Sequence, residues 1–356
     1  MSAKWSLSPR RTNPIGSNAS RRSPLGLAKI LCTVAALSLL WCPQDSSLAS
    51  DPRIVFTSTR DGFERQIYVM DADASSIRRL TSLAGYASNP HFSADNRRIA
   101  FSFFEPNSSS SQVYIMNADG SQIKALTSQP GLTTFEQFIP GDRIVYWHEV
   151  NPGSSIMARH VMDIDGSRQA PLPLNAPGLG AVGPAAYGPH ALVAFTSRLL
   201  ASGDETAARL YTITVDGRNL RRLTSSTESV AYPAWSPDGT KIAYANIGVF
   251  PLPDQNLPRS HQNDGIYLID SDGRNAALVV PIHFGQDVGP SGGFGAGPAR
   301  QETGPCSAPS FSPDRTRLTY AVALPKCQIY IVNVNGTGLR RLTGEPGSSS
   351  EPSFSH

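Results

Sequence analysis

The sequence predicts an all-β protein in which six four-stranded antiparallel blades close into a ring, and three observations carry that expectation. A phrase joining a tyrosine-bearing strand to a tight Asp-Gly or Asn-Gly turn and a further strand occurs six times. Upstream of it sits a second recurring phrase: an aromatic residue, a turn, and a strand that ends in another aromatic residue. The last residues, "EPSFSH" (351 to 356), repeat only the opening of that second phrase.

From the start of the chain, residues 1–49 read as an export segment. A polar, Arg-bearing stretch leads into the apolar run "ILCTVAALSLLW" (Ile30 to Trp41) and then "SLAS", where Ser47 and Ala49 satisfy the small-x-small pattern for cleavage after Ala49. The run falls short of the roughly 20 apolar residues of a transmembrane helix, so a cleaved signal is expected ahead of an uncleaved anchor. "SRRSPLG" (Ser20 to Gly26) leaves a twin-arginine route open, with Pro24 where such signals prefer an apolar side chain. Bulky Trp41 before Cys42 argues against lipoprotein processing. The segment holds six of the 31 basic residues and one of the 28 acidic ones, so the chain's +3 becomes −2 without it. A nucleic-acid partner, which needs clustered Lys and Arg on the folded part, is therefore excluded.

Residues 50–356 read as one domain. The strand phrases are "FSADNRRIAF" (92 to 101), "WSPDGTKIAY" (235 to 244) and "FSPDRTRLTY" (311 to 320), with weaker copies "FIPGDRIVY" (138 to 146) and "YGPHALVAF" (187 to 195). The turn phrases are "IYVMDADASSIRRLT" (67 to 81), "VYIMNADGSQIKALT" (113 to 127), "LYTITVDGRNLRRLT" (210 to 224) and "IYIVNVNGTGLRRLT" (329 to 343), with degenerate copies at 160 to 174 and 266 to 280. Alternating apolar residues suit half-buried strands, and glycine supplies the positive φ that a hairpin turn requires. Four strands repeated at roughly 40 residues describe the blades of a β-propeller. "RIVFTSTR" (Arg53 to Arg60) is then the second strand of a blade whose first strand is "EPSFSH", and pairing the two closes the ring and removes an exposed sheet edge.

With strands A to D of each blade alternating in direction, the A-B and C-D turns share one face and the B-C and D-A connections share the other. The two long insertions, residues 246 to 264 and 281 to 306, are a B-C and a D-A connection and so fall on the same face. Long loops on a rigid scaffold are where binding residues concentrate. The candidate binding residues are His261, Asp264, His283, Asp287, Arg300 and Glu302, with His148 and Glu149 from the B-C loop of blade 3. Their spacing matches no tight metal-ligand pattern, so no metal and no cofactor are expected. Cys306 and Cys327 are the two cysteines left after the signal, and an oxidising compartment permits a bridge between them.

Three motifs are set aside. "GPSGG" (Gly289 to Gly293) matches a nucleophile elbow by letter but sits in a glycine-rich loop rather than between a strand and a helix. "DIDG" and "DSDG" resemble calcium-loop fragments but recur where the repeat needs turns. The pairs Arg78 and Arg79, Arg221 and Arg222, and Arg340 and Arg341 belong to outermost strands, where charge guards a sheet edge.

The paired phrases "PxWSPDGxKIAY" and "IYxxDxDGxxxRRLT" resemble those of the TolB-type six-bladed propellers, over residues 52 to 356. TolB carries an α/β domain between signal and propeller, whereas here the signal runs straight into the first strand. The resemblance implies a periplasmic or secreted monomer that acts as a non-catalytic scaffold, with an envelope protein or a peptidoglycan-associated protein as partner and no membrane span in the mature chain. The competing expectation is a carbohydrate-active enzyme, a polysaccharide lyase or glycoside hydrolase, with a site in the channel mouth. It requires histidines or an acid-base pair converging on the channel.

Overall fold

The computed structural model describes residues 52–154, 156–172, 185–197, 208–224, 229–247, 263–282, 305–323, 326–344 and 346–356. They form six separate four-stranded sheets, each antiparallel. Blade 1 runs, from the inside outward, Ser349–Phe354, Arg53–Ser58, Gln66–Asp71 and Arg78–Arg79, so the last strand of the chain is the innermost strand of the first blade. Its register pairs Ile54 with Phe354 and Ser58 with Ser349, which closes the ring. Blades 2 to 6 then follow in chain order.

No blade covers its own faces. The buried apolar residues fall into six clusters, each shared by two neighbouring blades. Ile54, Phe56 and Tyr68 of blade 1 pack with Ile329 and Ile331 of blade 6, for example, while Val55 and Ile67 pack with Phe92 and Phe101 of blade 2. Burial of apolar surface at about 25 cal/mol per Å² therefore rewards only the complete ring.

The repeated letters have identifiable structural work. In every blade the aromatic residue of strand B lies directly across from position 3 or 4 of strand C and packs on an aromatic ring there, as in Phe56 with Tyr68 and Tyr320 with Tyr330, both with ring centroids 5.8 Å apart. The threonine of the Leu-Thr ending turns back to the start of strand C. Thr81, Thr127 and Thr343 each accept the N–H of Ile67, Val113 and Ile329, and each donates to the side chain of Gln66, Gln112 and Gln328. Those glutamines then donate to carbonyls of the D-A connection, Leu83 and Gly85, Gln129, and Gly347, so one hydrogen-bonded latch turns the chain into the next blade. Outermost strands are short, two residues in five blades and Ala277–Pro281 in blade 5, and their arginines are exposed.

Innermost strands depart from regular pairing. The register slips at Asn89, Tyr232 and Glu351, each in the left-handed region (φ of 52°, 56° and 55°) and each followed by proline. A one-residue bulge at Glu136 does the same in blade 3. Bulges re-aim side chains, and these four residues are aimed into the central channel.

Candidate functional site: the channel and blade 3

The innermost strands of all six blades enclose a central cavity of about 870 Å³. Its wall is rich in aromatic and proline side chains, including Trp147, Tyr232 and Trp235, and carries Glu136, Asp142 and Glu351 but no Lys or Arg among the described residues. Gly188 lies flat against the Trp235 indole, where an added Cβ would stand 2.6 Å from the ring, and the Trp235 N–H donates to the Ala186 carbonyl at 3.0 Å.

Many of the wall's polar groups tie one blade to the next. Glu351 Oε2 accepts from Thr57 Oγ1 (3.0 Å) and from the Asn89 N–H (2.7 Å), linking blades 1 and 2. Asn89 Nδ2 donates to the Phe135 carbonyl of blade 3 at 2.9 Å. Gln137 grips both backbone groups of Tyr187 in blade 4, donating at 2.8 Å and accepting at 3.0 Å. Ser310 Oγ of blade 6 accepts from the Phe354 N–H of blade 1, and off the wall, on the adjoining A-B turns, Arg315 of blade 6 pairs with Asp238 of blade 5. The result is a belt that holds the channel's diameter.

Blade 3 adds a buried ion pair whose arginine stands where the other blades carry an aliphatic residue. The Arg159 guanidinium donates to both Glu136 oxygens, at 2.9 and 3.0 Å, and both side chains are more than nine-tenths buried. Glu136 also accepts the Ala185 N–H of blade 4 at 3.0 Å. The guanidinium carbon lies 3.9 Å from the centre of the Trp147 ring, in a stacked cation–π contact. Across the sheet Arg159 faces Trp147 directly. The same pair in the other blades is Ile67 with Thr57, Val113 with Ser102, Leu210 with Thr196, Ile266 with Ala245 and Ile329 with Ala321. Burial and the neighbouring Glu136 charge push the Tyr187 hydroxyl far above its usual range.

Among the described residues His91 and His356 line the channel. Burial, and secondarily the charge of His356, pushes His91 down to about 4, so it is neutral at physiological pH. His148 and His160 lie together on blade 3, and His190 lies in the A-B turn of blade 4.

The residues singled out in the sequence are distributed as follows. His148 and Glu149 close strand Arg143–Glu149 rather than sitting in the loop beyond it, because strand B pairs with Met157–Asp163 to its last residue. Glu149 is buried, and its carboxylate accepts the Leu132 N–H at 3.2 Å, anchoring the turn into blade 3. Asp264 is also buried, immediately before strand Gly265–Asp270, and its carbonyl accepts the Ile282 N–H. His261, His283, Asp287, Arg300 and Glu302 lie outside the described residues. Cys306, ahead of the first strand of blade 6, is disulfide-bonded to Cys327, the first residue of that blade's strand C. Glu136, Trp147, Arg159 and Glu351 were not singled out. Aligning the repeats column by column exposes Trp147 and Arg159, since an indole and a charge stand where five blades place a small and an aliphatic residue.

A ring of six such blades around a belted channel defines the class: a six-bladed β-propeller. The family model described as the TolB beta propeller domain matches residues 41–173. The crystal structure of TolB from Acinetobacter baumannii superposes with a TM-score of 0.63 at 19% identity, over 85% of this chain and 66% of that one. Hydrazine synthase from Kuenenia stuttgartiensis gives 0.58 at 14% identity over 85% of this chain and 46% of that one. A chain of a nidogen/laminin complex gives 0.56 at 10% identity, covering 86% and 98%. At these identities the likeness is one of fold. The chain is a six-bladed propeller whose residues 41–173 match the TolB propeller model, and it spans just under two thirds of the Acinetobacter TolB chain.

Proposed function

We propose that this propeller is an exported, non-catalytic scaffold of the cell envelope that binds an envelope protein or a peptidoglycan-associated protein through its insertion-bearing face. The observation that carries the reading is where large apolar side chains are left in solvent. Phe63 and the pair Val150 and Ile156 are exposed in B-C loops, and Tyr86 is half-exposed at the start of a first strand. All four belong to the face from which the insertions at 246 to 264 and 281 to 306 emerge. Ile77, Leu220 and Leu339, in C-D turns of the opposite face, are exposed as well, but the two most exposed large apolar side chains among the described residues, Phe63 and Ile156, stand on the insertion-bearing face, where they favour a protein partner.

The chemistry of the channel favours a scaffold over an enzyme. Glu136 is neutralised by Arg159, and Glu351 is engaged by Thr57 and Asn89, so neither is poised as a general acid or base. No helix among the described residues is long and apolar enough to cross a membrane. Residues 1–49 fit an export signal by composition, which supports a periplasmic or secreted location.

The test is affinity capture from native envelope extract, using residues 50–356 beside a variant whose residues 284 to 303 are replaced by a short Gly/Ser link. A stoichiometric protein retained by the first and lost by the second is the expected result. Capture of nothing by either folded protein, together with release of sugar from an envelope glycan, overturns the scaffold in favour of the carbohydrate-active alternative.

A further inference from the structure

The aromatic ladder identifies a second departure in blade 3, on the opposite face of the sheet from Arg159. In five blades the strand C member of the stacked pair is a tyrosine: Tyr68, Tyr114, Tyr211, Tyr267 and Tyr330. In blade 3 it is His160, stacked on Tyr146 at 5.6 Å. Two residues beyond Tyr146 on the same strand, and therefore on the same face, stands His148. The positions equivalent to His148 hold Ser58, Phe103, Ser197, Asn246 and Val322, so the repeat calls for no imidazole there either. Two independent departures place the two rings edge to face, with centroids 5.5 Å apart.

From this juxtaposition we infer that His148 and His160 form a two-imidazole chelate for a borderline divalent cation of the Zn²⁺, Ni²⁺ or Cu²⁺ class. The ring nitrogens are sorted for it. His160 Nδ1 lies 3.4 Å from the Ala158 carbonyl, which can only accept, so Nδ1 carries the proton and Nε2 keeps its lone pair. His148 Nδ1 lies 3.1 Å from Thr133 Oγ1, which can take the Nδ1 proton and leaves Nε2 as the ligating atom. A second partner on the far nitrogen is the arrangement that orients and polarises metal-binding histidines. Two imidazoles on one tetrahedral ion, with metal–nitrogen bonds of about 2.0–2.1 Å, stand with centroids about 5 Å apart, close to the 5.5 Å between these two rings.

Burial and the proximity of His160 lower the His148 pKa, which keeps the ring neutral and available to a cation at neutral pH. Glu149, the acid nearest in sequence, points to the other face of the strand and raises that pKa only weakly. Among the described residues no group of three or more His, Cys, Asp or Glu side chains forms a metal cluster. The remaining coordination positions therefore fall to water or to a donor brought by another molecule, which fits imidazole-preferring ions and excludes Ca²⁺ and Mg²⁺, whose shells are built of oxygen.

The experiment is equilibrium dialysis of untagged protein, residues 50–356, against Zn²⁺ at pH 7.5, with His160→Tyr and His148→Ser beside the wild type. His160→Tyr restores the ladder residue of the other five blades, and His148→Ser installs the residue that two of them carry, so both variants are expected to fold. The expected result is one equivalent of Zn²⁺ held by the wild type beyond that held by either variant, with affinity at that site at least tenfold weaker in each. Equal stoichiometry and affinity in all three proteins, or no Zn²⁺ retained by the wild type, overturns the assignment.

Discussion

Blade 3 and its five neighbours share a backbone plan and differ in what fills it. In the five, the pair between strands B and C is a small residue against an aliphatic one, as in Thr57 with Ile67, and the ladder is aromatic on tyrosine. In blade 3 the same positions carry Trp147 with Arg159 and Tyr146 with His160, and the bulge carries Glu136. The repeat tolerates any pair that fills the space between blades. A charged residue there is stable only with its counter-charge, and Glu136 supplies it. A repeat protein thus marks chemically distinctive sites as departures from its own columns.

The largest effect expected from breaking that difference comes from the buried ion pair. Arg159→Ala leaves Glu136 charged and without its counter-charge and should lower stability by about 3–5 kcal/mol in urea unfolding, while the triple change Glu136→Gln, Trp147→Thr and Arg159→Ile, which removes the charge at 136 and restores the five-blade pair at 147 and 159, should recover most of it. A loss below about 1 kcal/mol in the single variant contradicts this account of blade 3. Next is the covalent tie in blade 6. Cys306 and Cys327 close a loop with a sequence separation of 21, and Cys306→Ser should cost about 3 kcal/mol, read as a lower thermal midpoint that reductant no longer changes.

A smaller effect concerns His91 in the channel wall. Its folded pKa, about 4, lies below the unfolded value. The unfolded state therefore binds the extra proton first, and the stability present above about pH 6.5 is lost as pH falls to 4 and below, by about 3 kcal/mol. His91→Gln should flatten the stability profile over that window, and an unchanged slope contradicts the assignment. The smallest effect is at the rim: Arg78→Ala, on an exposed outermost strand, should shift stability by no more than about 0.5 kcal/mol.

Ring, blade number and closure were legible because each rests on short-range signals: Asp-Gly turns, alternation along strands B and C, and the copy of a first strand at the end of the chain. The latch was visible as a recurring Leu-Thr, although its partners Gln66, Gln112 and Gln328 become meaningful only when the strands are paired. Channel residues were harder to see. Asn89, Tyr232 and Glu351 adopt left-handed backbone ahead of proline, a conformation that residue type and period do not announce for tyrosine or glutamate. Attention to loop polars also selected Glu149 and Asp264, which the fold buries. A polar residue beside an insertion can as readily secure the turn as face a ligand, and sequence spacing does not separate the two.

The central claim, that the insertion-bearing face is the working face, is tested most directly by site-specific photocrosslinking in living cells. A photoreactive phenylalanine analogue at Phe63 or Ile156 probes that face, and one at Arg97, whose side chain is 84% exposed on an A-B turn, probes the opposite one. The account predicts the same single protein adduct from positions 63 and 156 and none from 97. An adduct from 97 alone, or from all three without preference, contradicts it.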